Sequence, residues 1–353
     1  MKSLRIGDKI ARLPIIQGGM GIGVSLHRLA SAVANEGGIG VISAAGVGFY
    51  GEKTGDFEQD NITTLKAQIT QAKEESNGLI GVNIMVALTS FEALSKAAME
   101  ANVDFIFAGA GLPLRLPEFR PANTTTKLVP IISSGRAAKL LCKHWIKKYN
   151  YVPDAFVVEG PEAGGHLGFK ANQLGDAAYS LEVLLPQVLE AIEPFEKEHN
   201  TTIPIIVGGG IYTGQDIRRF LDLGASGVQM ATRFVPTYEC DASDAFKQTY
   251  VDAKKEDIVY IKSPVGLPGR AIRNPYLEEV EQGLKHPFTC PYDCIITCKK
   301  EEAPYCITLA LINAQKGKLH NGFAFAGSNA YKTTKISSIK DVFRAIKQEF
   351  KSK

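Results

Sequence analysis

The chain has little that would mark an exported, membrane or scaffold protein. Among 353 residues there are one tryptophan, five methionines and six cysteines. No apolar run approaches the roughly 20 residues a membrane span requires. The N-terminus, Met1-Lys2-Ser3-Leu4-Arg5-Ile6-Gly7-Asp8, lacks the apolar core of a signal peptide, so a cytoplasmic protein is expected. Neither sign of charge dominates: 40 Lys and Arg against 37 Asp and Glu leave +3. That is too weak an imbalance to argue for nucleic acid, and the basic residues are scattered. The Lys-rich C-terminus reads as a solvated helix face. Six cysteines in a long cytosolic chain do not imply disulfides.

What is present is glycine, 34 residues of it, much of it just after apolar runs. Those runs alternate with helical patterns, as in βαβ units. The predicted strands are Ile15-Gln17, Gly40-Ser43, Ile80-Ile84, Phe105-Phe107, Val129-Ile132, Ala155-Val158, Ile205-Val207 and Gly227-Met230. Predicted helices include Leu26-Asn35, Ile62-Glu75, Phe91-Ala101, Arg136-Lys148, Leu181-Glu198 and Gly214-Leu223. Eight such units ending near residue 255 predict an α/β fold, a (β/α)8 TIM barrel. A doubly wound open sheet is the alternative, and the placement of unusual residues favours the barrel. They lie at or just past strand C-termini, which converge on one face only in a barrel.

The densest of these stretches is Glu159-Gly160-Pro161-Glu162-Ala163-Gly164-Gly165-His166-Leu167-Gly168. Its glycines permit close backbone approach to a flat or anionic ligand. Its imidazole is a proton acceptor near neutral pH; the plainer reading is a tight loop with a solvated histidine. Gly208-Gly209-Gly210-Ile211 follows strand seven and Gln229-Met230-Ala231-Thr232-Arg233-Phe234 spans the end of strand eight, where barrel phosphate sites are built. Gly18-Gly19-Met20 would let backbone lie flat against a ring system. Asn83 offers an amide at the mouth, and Glu159 an acceptor. The remaining histidines, among them His27, His144, His199 and His286, form no metal pattern.

Taken together, Pro14 to Met20, Gly81-Val82-Asn83, Glu159 to His166, Gly208 to Ile211 and Gln229 to Phe234 resemble the nitronate monooxygenase family, formerly called 2-nitropropane dioxygenase. The layout is equally similar to flavin-type enoyl-acyl-carrier-protein reductase II. The resemblance spans residues about 10–275, and the order of its motifs is specific to this superfamily. It implies FMN, with the phosphate on Gly209, Gly210 and the segment Gln229, Met230, Ala231, Thr232. Ribityl chain and ring would lie near Gly19, Met20, Asn83, Glu159, Gly164 and Gly165. His166 would be the base beside the flavin, or a positioning or proton-delivering group in a reductase. The implied activity is oxidation of alkyl nitronates with O2 to carbonyl compounds and nitrite. The alternative is NAD(P)H-dependent reduction of an enoyl thioester.

This reading divides the chain into an FMN-binding barrel, 1–255, and a mostly helical cap, 256–353, packed over the mouth. Ser263 to Arg273 is expected to be an ordered loop, and Gly46 to Asn61 a mouth loop. The cap carries a departure from the family pattern, Cys290, Cys294, Cys298 and Cys306, spaced C-x3-C-x3-C-x7-C. That is compact enough for a metal or an iron–sulfur cluster, though it matches no standard zinc-finger or ferredoxin spacing. The first three would share a face if the segment were helical. Reduced structural or redox thiols are the other reading. Expected partners are a nitronate or nitroalkane, or an enoyl thioester; neither nucleic acid nor membrane is expected, and a homodimer is the assembly allowed for.

Overall fold

The computed structural model describes residues 1–285, 290, 292–299 and 301–352. His286 and Pro291 lie outside the described residues. A hairpin, β1 (Leu4–Ile6) and β2 (Lys9–Ala11), opens the chain. Next come β3 (Ile15–Gln17), α1 (His27–Asn35), β4 (Ile39–Ser43), α2 (Phe57–Glu74), β5 (Leu79–Met85), α3 (Phe91–Glu100) and β6 (Phe105–Gly109). After β6 only a 3-10 turn, Leu116–Phe119, precedes β7 (Lys127–Ile132). Then follow α4 (Gly135–Tyr149), β8 (Phe156–Glu159), β9 (Gly165–His166), α5 (Leu181–His199), β10 (Ile205–Gly208), α6 (Gly214–Asp222) and β11 (Gly227–Met230).

Eight of these strands close into a parallel barrel, in the order β3-β4-β5-β6-β7-β8-β10-β11. They are apolar along their length because both faces are buried, one on the barrel interior and one under the helices. Ile16, Val41, Phe105, Phe107, Val129, Val157 and Ile206 fill the interior. The hairpin adds Leu4, Ile6 and Ala11 to the same cluster, so the N-terminal end is plugged. Only the C-terminal end is left for a ligand.

The ring helices start where capping residues dictate. Ser134 accepts from the Ala137 N–H at the head of α4, and Thr213 and Asp216 form a reciprocal box on α6. Each cap satisfies amides that would otherwise be orphaned, an effect of about 1 kcal/mol. α4 ends at Asn150, whose left-handed φ of 50° stops the helix.

Past β11 the chain makes a long excursion: α7 (Asp244–Asp252), β12 (Ile258–Lys262), β13 (Pro268–Ile272), α8 (Pro275–Glu281), α9 (Ile307–Gln315) and finally α10 (Ile339–Lys351). The expected loop at Ser263–Arg273 is therefore half strand. β12 and β13 pair as a hairpin, and β13 also pairs with β9, through Gly269↔His166 and Arg270↔Gly165. α10 returns to the barrel wall. Its Phe343 meets Phe234 at 5.7 Å, and its Glu349 takes two 2.7 Å bonds from Arg233. It packs on α6 and α1, the place of the ring's eighth helix. The segment expected as a cap thus supplies both a roof over the mouth and a wall of the barrel.

Candidate active site

A cavity of about 270 Å³ opens at the C-terminal ends of the strands. Each candidate residue named for the flavin borders it: Gly19, Met20, Asn83, Glu159, Gly164, Gly165, Gly209, Gly210, Gln229, Met230, Ala231 and Thr232, with His166 beside them. Their convergence follows from the parallel register. Ser43 pairs with Asn83, and Gly208 pairs with both Glu159 and Gln229. Side chains tens of residues apart thus stand at one level of the barrel.

The glycines have steric causes. A Cβ on Gly19 would collide with that of Asn83, and one on Gly164 would lie 2.5 Å from the Ala326 carbonyl carbon. Gly209 and Gly210 hold φ of 109° and 73°, which side chains rarely adopt. Beside them the Thr232 hydroxyl accepts from the Gly327 N–H at 3.0 Å, and the Asn329 amide donates to the Gly210 carbonyl at 2.6 Å. Arg233, in the same motif, turns away and ties Tyr212 and Glu349 instead.

Two titratable groups face the cavity with opposite consequences of burial. The Glu159 carboxyl is raised to about 7, by desolvation alone. The His166 imidazole is lowered to about 4 by the same cause. Burial penalises whichever form is charged, so at neutral pH His166 is a neutral base and Glu159 is poised between forms. His166 Nε2 lies 2.6 Å from Ser263 Oγ, and its ring meets the edge of Phe325 at 5.0 Å.

The roof residues were not found from the sequence. Arg270 is buried and donates to the carbonyls of Pro161 and Ala163, at 2.7 and 2.5 Å, and to Tyr260 at 2.7 Å. It holds the Glu159–His166 turn from above. Ser263, Phe325 and Gly327 likewise come from about a hundred residues or more along the chain. The Gly- and Phe-rich run at 322–327 is the sequence signal that could have pointed to Phe325 and Gly327. The segment expected as a mouth loop does reach the site, but it ends in a helix: Gly46 borders the cavity, and so do Phe57 and Asn61 at the start of α2.

The described residues of the cysteine segment before α9 are not helical. Ile295 forms a bridge with Leu88, and Asp293 has φ of 40°, so the shared helix face expected for Cys290, Cys294 and Cys298 does not exist. All four cysteines are free. Among the described residues no three His, Cys, Asp or Glu side chains are placed to hold a metal ion, so the metal or iron–sulfur site expected at the four cysteines is not shown. No described helix is long and apolar enough to cross a membrane.

A plugged parallel barrel, a glycine-lined cavity at its open end and a buried neutral imidazole together define a TIM barrel with a ligand site at its mouth. The nitronate monooxygenase family model matches residues 4–349, and the chain belongs to that family. It is 32% identical over 273 residues, 77% of this chain, to the (3aS,4S,5R,7aS)-5-hydroxy-7a-methyl-1-oxo-octahydro-1H-indene-4-carboxyl-CoA dehydrogenase of Mycobacterium tuberculosis. It spans 66% of that relative's length, and 65% of its Rhodococcus jostii counterpart's. It is 27% identical to the "Probable nitronate monooxygenase" of Staphylococcus aureus, covering 76% of this chain and 78% of that one. The structure of FabK from Thermotoga maritima superposes with TM-score 0.73 at 27% identity, covering 97% of this chain and 93% of that one.

Proposed function

We propose that this protein binds FMN in the barrel-mouth cavity and oxidises alkyl nitronates with O2 to carbonyl compounds and nitrite. The observation that carries this is the pairing of a neutral, buried base, His166, with a glycine-lined cradle in a member of the nitronate monooxygenase family. The cradle suits the cofactor. Gly209 and Gly210 hold the positive φ that keeps this turn against the cavity, where a Cβ would strike Gly160, Glu162 or Ala163, and Thr232 and the Gly327 amide supply polar groups beside them. Asn83 and Gln229 offer amides deeper in the barrel, and Gly18, Gly19 and Gly164 offer flat backbone.

When bound, FMN supplies the electron acceptance that no side chain can. The chain's own contribution is orientation and proton handling. A nitronate has already lost its α-proton; a neutral nitroalkane has not. His166, unprotonated at neutral pH, takes that proton as general base. Ser263 and Phe325 fix the ring, and the Glu159 carboxyl borders the same space as hydrogen-bond donor or acceptor, according to pH.

The apolar side of the cavity, Leu88, Leu94, Ile295, Ile307 and Leu311, favours one second reading, an oxidoreductase of acyl thioesters. The M. tuberculosis relative is named for a carboxyl-CoA substrate. One experiment separates the two. The flavin-loaded protein is given a pre-formed alkyl nitronate in air, and separately reduced nicotinamide without oxygen. Nitrite release with no bleaching by nicotinamide is the expected result. Rapid bleaching, reversed by an enoyl thioester, would replace the first reading with the second.

A further inference from the structure

We propose that Cys290, Cys294, Cys298 and Cys306 hold a four-iron, four-sulfide cluster in a second cavity, set against the active-site wall. All four border a cavity of about 150 Å³, closed by Ala303, Tyr305 and Thr308. A single water needs only about 10–15 Å³ of such space, so the cavity has room for a body larger than one ion. Zinc would also need its thiolates to converge at about 2.3 Å from one point. No three described ligands do so. A cubane cluster asks for the opposite arrangement, four thiolates spread around a larger body, each on its own iron. The room in this cavity and the four thiols that border it therefore suit a cluster.

The surroundings suit thiolate ligands. Cys306 is the N-cap of α9, where unpaired amides and the helix dipole favour a negative sulfur. The Thr308 hydroxyl lies 3.0 Å from Cys294 Sγ, a contact of the kind that orients and tunes a ligand.

The loop is fastened to the barrel. The Ile296 N–H donates to the Ala87 carbonyl at 2.9 Å, and Thr89 to that of Cys294 at 3.3 Å. Tyr292 packs on Phe49 and Phe57 at 5.0 and 5.1 Å. Cys294, Ile295, Ile307 and Thr308 line both cavities, so one layer of residues divides the cluster from the proposed flavin space.

The test is the iron and acid-labile sulfide content of the full chain, purified without oxygen and then reconstituted with ferrous iron and sulfide. About four of each per chain are expected, with broad absorbance that dithionite bleaches. Cys298→Ser should lose most of the iron and keep its flavin, whereas Cys142→Ser, altered at a buried thiol of α4, should keep both. If Cys298→Ser does not fold, the content of the unmodified protein still decides. Protein that stays free of iron after reconstitution, or binds one zinc instead, overturns the proposal, as does full alkylation of all four thiols in the native state. The readout needs neither flavin nor substrate, so its failure leaves the nitronate reading untouched, and failure of that reading leaves the cluster untouched.

Discussion

The floor and the roof of the cavity are built by different rules. The floor consists of strand ends and the residues next to them: Gly18 to Met20 after β3, Glu159 closing β8, and Gly208 closing β10 with Gly209 and Gly210 beyond it. Its geometry is set by barrel register alone. The roof is Ser263, Arg270, Phe325 and Gly327, carried by a hairpin and a loop inserted between the eighth strand and the eighth helix. It is held to the floor by β13 pairing with β9 and by Arg270 on two carbonyls. The floor can bind a cofactor without being told where the roof is. The roof decides how the His166 imidazole is held. Substitutions in the floor should therefore cost binding or chemistry outright, and those in the roof should grade the chemistry.

The largest effect is expected from Gly210→Asp. The new side chain would take a φ of 73° that suits glycine, and would collide with the Glu162 carboxylate. It would also place negative charge where a phosphate is proposed. Flavin retention should be lost while the far-ultraviolet circular dichroism stays barrel-like. Flavin at wild-type stoichiometry would mean that the floor does not hold the phosphate.

Next is His166→Ala. A positioned base is worth about 10²–10⁴ in rate. Neutral nitroalkanes should lose activity by that factor, with FMN still bound, while pre-formed nitronates lose far less. Equal losses on both substrates would make His166 a positioning group, and the contrast between floor chemistry and roof tuning would fail at its centre.

The contrast also bears on what the sequence could disclose. All eight barrel strands were legible, because strands buried on both faces read as unbroken apolar runs. Asn83, Glu159, His166 and Thr232 were legible because each sits at or near such a run's end. The hairpin β12–β13 was not. Tyr260 stands exposed on β12, Pro268 and Gly269 interrupt β13, and the strand's partner, His166, lies about a hundred residues back. The eighth ring helix was hidden for a related reason. The usual short link from strand to helix is replaced by residues 231–338, so α10 reads as an appendage although it completes the wall. Arg270 looked like an ordinary loop arginine, and only its buried position identifies it as a clamp.

A smaller effect, in stability, is expected from Glu159→Gln in the flavin-free protein. The folded carboxyl is raised to about 7 from an ordinary value of 4.5. Between those values the folded state holds a proton that the unfolded state has released, so wild-type stability falls as pH rises through that window. Glutamine does not titrate. The variant should match or trail the wild type near pH 4 and overtake it by pH 8 in urea melts. His166, lowered to about 4, acts with the opposite sign: it adds stability that is complete above its unfolded value of 6.5 and is lost as pH falls toward 4. A wild-type profile that keeps rising from pH 6.5 to 8 would mean that Glu159 is not held as described.

The smallest effect, and the one that isolates the roof, is expected from Ser263→Ala. Ser263 Oγ lies 2.6 Å from His166 Nε2 and accepts from the Val265 N–H at 3.4 Å. A hydroxyl oxygen has room for both donors. If Nε2 carries the ring proton and donates to Ser263, Nδ1 is left as the basic nitrogen. Alanine removes that preference for one tautomer and leaves Nε2 buried without its partner. One neutral hydrogen bond is worth about 0.5–1.5 kcal/mol net, so turnover of neutral nitroalkanes should fall roughly 2–10-fold. Pre-formed nitronates should be unaffected and flavin content unchanged. Ser263→Thr, which keeps the hydroxyl, should recover most of the loss. A purely structural role for the hairpin would instead lower both substrates and loosen the flavin, because Arg270 on the adjoining strand β13 would let go of the Glu159–His166 turn. The split between substrates thus tells whether the roof acts on the proton acceptor or only on the shape of the cavity.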